Sequence, residues 1–242
     1  MEWADEGLVL SARRHGENAT VVNLLTRDHG RHVGLARGGQ GRTARGLYQP
    51  GNFVSARWRG RLPEHLGNWS AELIAGYAAA VMDESGKLTA LSSACALLEA
   101  ALPEREPVPN VFSDSLVFVA SLAADKDGTQ PRWLEAYARW ELQLLADLGF
   151  GLDLSACAAT GVTENLVFVS PRSGRSVSAE AGAPFSDKLL DLPAFLKSDE
   201  RADLPSIQAA LRLTGYFLER HVFAPQGKTS PPARTRLVEA LA

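Results

Sequence analysis

The segment Arg37-Gly38-Gly39-Gln40-Gly41-Arg42-Thr43-Ala44-Arg45-Gly46 sets three guanidiniums among four glycines. Arginine forks match phosphate oxygens in pairs, and glycines let backbone amides approach the same chain, so this composition suits a grip on a sugar-phosphate backbone more than a reading of bases. An exposed hairpin loop kept in solution by its charge has the same composition, and both readings stand at this point. A second cluster lies in Phe53-Val54-Ser55-Ala56-Arg57-Trp58-Arg59. Period-2 alternation puts Val54, Ala56 and Trp58 on one face, toward a core, and Phe53, Ser55, Arg57 and Arg59 on the other. The second face offers a ring to stack on a base beside cations for its phosphates, the pairing that single-stranded nucleic acid needs, and Arg61 extends it. The alternative for Phe53 is an ordinary barrel residue at a strand end.

Catalytic patterns are missing. The chain has no Gly-x-Ser-x-Gly elbow and no Gly-x-x-x-x-Gly-Lys phosphate loop, and the run at Gly39 and Gly41 lacks the third glycine of a dinucleotide fingerprint. Asp28, His29 and His32 lie close in sequence but straddle a turn, and nothing nearby completes a metal site, so they read as the polar residues of that turn. No catalytic residue, metal or cofactor is expected.

These residues need elements to hold them. Residues 6 to 75 read as five short strands: Gly7 to Ser11, Ala19 to Thr26, Arg31 to Ala36, Phe53 to Arg59 and Asn68 to Ile74, punctuated by Gly, Asn, Asp and Pro. Five such strands suggest a small barrel. Thr26-Arg27-Asp28-His29-Gly30 is a tight turn, and Arg37 to Gln49 reads as a long mobile connection. After residue 85 the period becomes helical: Leu88, Leu91, Cys95, Leu98 and Leu102, stopped by Pro103, then Trp133, Tyr137, Trp140, Leu144 and Leu148, stopped by Gly149. A third helix begins near Pro205 with Ile207, Leu211, Thr214 and Leu218, and a short last one holds Leu237 and Leu241. Leu166 to Ser170 reads as a strand, followed by a loose return to Gly182.

Charge divides along the same line. The chain carries a formal net charge of -3, but residues up to Ala80 hold 10 arginines against 7 acids, and the rest holds 15 Lys and Arg against 21 acids. A basic first part points to nucleic acid or another acidic partner. No start resembling a secretory signal and no apolar run approaching the roughly 20 residues of a membrane helix are present, and two distant cysteines, Cys95 and Cys157, give no disulfide framework. A cytoplasmic protein is expected.

A resemblance now joins these pieces. Gly7-Leu8-Val9-Leu10, Gly16-Glu17-Asn18, Leu24 to Gly30, Leu35-Ala36-Arg37-Gly38-Gly39 and Gln49-Pro50, followed by Leu148 to Asp153, Cys157, Thr160-Gly161, Asn165-Leu166 and Ser170-Pro171, resemble in order the RecO family of bacterial DNA-repair proteins. The resemblance implies an α+β chain: an OB-fold β-barrel over about residues 1–80, then a mainly α-helical domain over 81–242 with a small β insert at about 155–182. It also implies a non-enzymatic recombination mediator, associated with the nucleoid. Such a protein binds single- and double-stranded DNA, anneals complementary strands, and acts with RecR to load RecA onto DNA coated by single-strand-binding protein.

Many members of that family hold zinc with four cysteines in the insert. Here Cys157 stands at the first ligand position, but Thr160, Ser178 and Ala181 stand at the others, so no zinc is expected and Cys157 reads as a small buried residue. For the acidic, apolar tail of single-strand-binding protein, Arg212, Arg220 and Lys228, with Arg234 and Arg236, would form the rim of a notch floored by Leu211, Leu218 and Phe223. Two other readings remain open: a protein-interaction scaffold with a purely structural barrel, and an RNA-binding OB-fold protein.

Overall fold

Alternating side chains close the first 75 residues into a ring. In the computed structural model, which describes residues 1–62, 64–126 and 132–241, the strands β1 (Glu2–His15), β2 (Ala19–Thr26), β3 (Gly30–Arg37), β4 (Phe53–Arg59) and β5 (Asn68–Ala75) form a closed barrel in the order β1-β2-β3-β5-β4. This is the expected OB-type barrel, with all neighbours antiparallel except β3 and β5. Val9, Val22, Leu24, Ala36, Val54, Ala56, Trp58 and Trp69 fill it.

Outside, part of the barrel is covered. Leu8 and Leu10 alternate with the core residue Val9, yet they are as buried as it is. The helix α3 (Ser85–Ala101) packs on β1: the Cys95 thiol points at the Val9 carbonyl, and Glu99 accepts from Ser11 and Arg13. Between β3 and β4 lies α1 (Arg42–Leu47), and a short α2 (Tyr77–Val81) leads into α3. The helix α4 (Pro109–Ala124) starts on a proline, which fits the first turn because its missing N–H has no partner to lose there. Its Phe112 ring lies 6.4 Å from that of Phe53.

The chain divides into two compact units, Met1–Lys126 with Pro231–Leu237, and Asp127–Ser230 with Val238–Ala242. In the second, α5 (Arg132–Leu145) buries Trp133, Tyr137, Trp140 and Leu144 as its stripe requires, then widens into a π-type turn, Ala146–Phe150, that ends with Gly149 at φ 86°. The helix α7 (Leu204–Phe217) is capped by Asp203, whose carboxylate accepts from the Ser206 amide at 2.9 Å. Thr214 on α7 donates to the buried Glu141 of α5 at 2.5 Å. The short helix α6 (Ala179–Gly182) belongs to this unit, and α8 (Pro232–Glu239) falls largely in the first. No helix among the described residues is long and apolar enough to cross a membrane.

The β insert is a three-stranded sheet of β6 (Leu166–Val169), β7 (Ser176–Ser178) and β8 (Leu190–Asp191), in the order β7-β6-β8. Cys157 opens a tight turn in which the Gly161 amide donates to its carbonyl at 2.9 Å. Its thiol is buried and takes hydrogen bonds from the Ser178 amide at 3.3 Å and the Ser178 hydroxyl at 3.5 Å. The hydroxyls of Ser178 and Thr160, then the Ser178 amide, pull this thiol down to about 6 against the opposing effect of desolvation. Hydrogen bonds thus hold this turn, and two of the donors, Ser178 and Thr160, stand at positions where the resemblance implies cysteines in many relatives. The melting temperature should therefore be unchanged by a zinc chelator in a differential scanning fluorimetry titration. A fall on chelation would show that a metal holds the insert.

Candidate nucleic-acid interface

The Arg/Gly segment is more ordered than its composition suggests. Gly38 turns the chain at φ 71°, and Gly39 packs so closely on Thr20 that a Cβ there would come within 2.7 Å of its hydroxyl oxygen. The Gln40 side chain ties the turn to the Ala19 carbonyl at 2.8 Å. The mobile connection expected from the sequence is thus a turn followed by α1, because Ala44, Leu47 and Tyr48 have a barrel interior to pack against. Packing Tyr48 into the core, with Ala44 and Leu47 partly covered against it, leaves Arg42 and Arg45 exposed.

Between α1 and the paired ends of β1 and β2 lies an open cleft of about 410 Å³ lined by Ala12, Arg14, Thr20, Gly39, Gln40, Ala44, Arg45, Tyr48, Gln49 and Pro50. Arg14 is a member that sequence reasoning missed. Its signal was the Arg13-Arg14 pair at the end of a strand whose length was underestimated. Arg37 sits at the end of β3 and donates to the Asn68 side chain at 3.0 Å, and Asn68 is the register partner of Arg59 across β4 and β5. The structure therefore groups Arg14 with Arg45 in the cleft, and Arg37 with Arg59 beside Asn68, while Arg61 is exposed beyond β4.

These cations differ in what already holds them. Arg57 pairs with Glu2 at 3.0 Å and Arg59 reaches the same carboxylate at 4.0 Å. Among the described residues, Arg14, Arg37, Arg42, Arg45 and Arg61 have no carboxylate partner. A phosphate can approach them without displacing an internal anion.

Two expectations need correction. Phe53 is only 8% exposed and lies against Phe112, so it has no face to offer a base. The alternation was right, but the outer face at that end of β4 is covered by a helix. In the second unit, Leu211, Leu218 and Phe223 are fully buried and cannot floor a surface notch, and Arg234, in the first unit, is itself buried. Arg212, Arg220 and Lys228 are exposed. Arg220 is engaged by the Tyr216 hydroxyl at 2.7 Å and the Pro171 carbonyl at 3.2 Å.

The histidines near the β2–β3 turn are structural partners of distant residues. Asp5 accepts from the Asp28 amide at 2.8 Å and lies 3.0 Å from His29 Nδ1, which pins the turn to β1. His32 is buried among Trp3, Trp58 and Trp69, and burial, with the positive Arg105 and His29 nearby, holds it down at about 4. A histidine kept neutral in the fold but ordinary in the unfolded chain makes stability fully present above about pH 6.5. That contribution is lost as pH falls from there toward 4, by at most about 3 kcal/mol and less where solvent screens the charge. Urea unfolding at pH 7.5 and pH 4.5 should show this loss in the wild type and a smaller one in His32→Phe. Equal losses would remove His32 as the cause.

Comparison with known proteins covers nearly the whole chain. The family model described as Recombination protein O N terminal matches residues 1–77, and Recombination protein O C terminal matches residues 82–230. The chain is similar to the DNA repair protein RecO of Rhodospirillum rubrum, at 50% identity over 243 residues, covering 100% of this chain and 96% of that one. It is 49% identical over 241 residues to the DNA repair protein RecO of Rhodospirillum centenum, covering 99% and 94%. To that of Mesorhizobium japonicum it is 47% identical over 244 residues, covering 100% and 94%.

Proposed function

The chain belongs to the RecO family of DNA repair proteins, and on that premise we propose that it is a non-enzymatic recombination mediator that works in the cytoplasm on the nucleoid. It binds single- and double-stranded DNA through Arg14, Arg37, Arg42 and Arg45, with Arg57, Arg59 and Arg61 beside them, and anneals complementary strands. Two strands repel each other through their phosphates, and a surface that neutralises both backbones lets their bases meet. Arginine contacts to phosphate leave the base edges free to pair, so little sequence preference is expected. With RecR as partner, it helps load RecA onto DNA coated by single-strand-binding protein, whose acidic tail is met by exposed cations of the helical region, Arg212, Arg220 and Lys228 among them.

The observation that carries this reading is the set of exposed arginines around the α1 cleft that have no carboxylate partner among the described residues. The test is the salt-dependent affinity for labelled single-stranded DNA of the wild type beside a variant with Arg37, Arg42, Arg45, Arg57 and Arg59 all changed to Ala. Loss of both affinity and salt slope in the variant supports the reading. Equal binding by the two moves the DNA site elsewhere, and no binding by the wild type favours a scaffold with a structural barrel.

A further inference from the structure

A second cleft, of about 310 Å³, opens at the end of the barrel away from α1, lined among others by Trp3, His29, His32, Trp58, Arg105 and Pro107. Trp3 stacks flat on His29 at 3.8 Å, with 4° between the rings, and meets His32 edge to face at 5.1 Å. His32 is 4% exposed, and neither of its ring nitrogens has a hydrogen-bond partner among the described residues. The Nε of Arg105 is likewise buried and has no partner among them. Buried polar atoms without partners are few in native proteins and each is costly, so three on the walls of one cleft point to something that fills it.

The position of Arg105 strengthens the point. Its backbone lies in the left-handed region at φ 63°, where glycine would be at ease and arginine is strained. The strain is held by its surroundings. The Arg105 amide donates to the Arg31 carbonyl at 2.8 Å, and its guanidinium donates to the Glu64 and His65 carbonyls at 3.0 and 3.3 Å. Those bonds fix the guanidinium in place while leaving Nε unmet.

The cleft therefore offers aromatic walls, a neutral imidazole with one donor and one acceptor nitrogen, and a fixed guanidinium donor. A bare phosphate would answer the guanidinium but not the acceptor nitrogen. A flat ring with an N–H and a carbonyl on its edge answers both, and its apolar faces suit an aromatic lining. The strand β4 brings Arg59 and Arg61 into sequence just beyond Trp58, so a backbone held there has cations within a few residues of the cleft. We propose that this cleft captures one unstacked nucleobase of a bound strand, with His32 and Arg105 reading its imide edge. This rests on the DNA-binding reading above and adds to it a site for a base where the arginines supply sites for phosphates.

The test uses the full chain with 15N-labelled histidine, titrated with dTMP and separately with deoxyribose 5-phosphate at millimolar concentrations, beside a thymidine oligomer. Movement of the His32 ring nitrogens with dTMP and with the oligomer, but not with the sugar phosphate, is expected. Arg105→Gly, which suits the backbone, and His32→Phe, which keeps a ring of similar volume, should each weaken dTMP binding at least about tenfold, the scale of one lost buried hydrogen bond. No movement with dTMP, equal movement with sugar phosphate, or unchanged affinity in both variants overturns the proposal. An oligomer that binds without moving His32 overturns it while leaving the arginine interface standing. Movement with dTMP in a protein that binds no oligomer overturns the DNA reading and confines the cleft to free nucleotides.

Discussion

Changing Arg14, Arg37, Arg42 and Arg45 together to alanine is expected to lower affinity for single-stranded DNA by about 100-fold or more at physiological salt. The same change should flatten the log-log salt dependence by about 3, since each phosphate contact on a single strand contributes about 0.7 to that slope. All four are exposed without a carboxylate partner among the described residues, so each is available to displace a counterion. Arg57 and Arg59 stand differently, because a phosphate must compete with Glu2 for them. Glu2→Gln should therefore strengthen binding by a few fold. Fluorescence anisotropy of a labelled oligomer across a salt series measures both effects. A slope unchanged by the four substitutions would place the strand on another surface.

Gly30→Ala is expected to be the most damaging single-methyl change in the barrel. Gly30 begins β3 at φ 66°, and a Cβ built there would lie 2.0 Å from the Glu106 carbonyl oxygen. The left-handed backbone costs a Cβ roughly 1–2 kcal/mol, and forcing two backbones apart adds a cost of similar size, so a loss of roughly 3 kcal/mol or more is expected. Gly16 has almost the same backbone, φ 61°, with nothing within 4 Å of its Cβ position. Gly16→Ala thus carries only the first cost, about 1 kcal/mol. Urea midpoints for the two variants separate strain from collision, and equal losses would mean that the 102–107 loop moves aside freely.

The strands were the most legible part of the fold. The limits of β2 and β4 match the expected strands residue for residue, and the Asp28 and Gly30 signature marks the turn between β2 and β3. Legibility ended where a second layer overrides a local pattern. The helix α4 is apolar over most of its surface and rich in Val, Ser and Phe, so its residues show no clear one-sided helical period and no helix is read there from the sequence. The helix α1 hides in a Gly/Arg composition because its stability comes from Ala44, Leu47 and Tyr48 meeting the barrel. Residues of the end cleft are separated by up to about 100 positions, and only the fold shows that Trp3, His32 and Arg105 share one wall. The arginines of both clusters were legible as charged segments, but that those of the second are already paired is a matter of register: Glu2 faces Arg59 only because β1 runs antiparallel to β4.

The ring is stitched unevenly. β1 with β2, β2 with β3, β1 with β4 and β4 with β5 pair along seven or eight residues, whereas β3 meets β5 only at Leu35–Asn68 and Ala36–Trp69. That short parallel contact is a clasp, and breathing of the barrel begins where the fewest hydrogen bonds must open together. Arg37 lies on the clasp, fastened to Asn68. On the proposed interface, a strand that takes hold of Arg37 would either tighten this fastening or compete for it, and so would act on the barrel at its loosest stitch. Amide exchange at Leu35 and Trp69 would register occupancy of the surface before any change of shape could be seen.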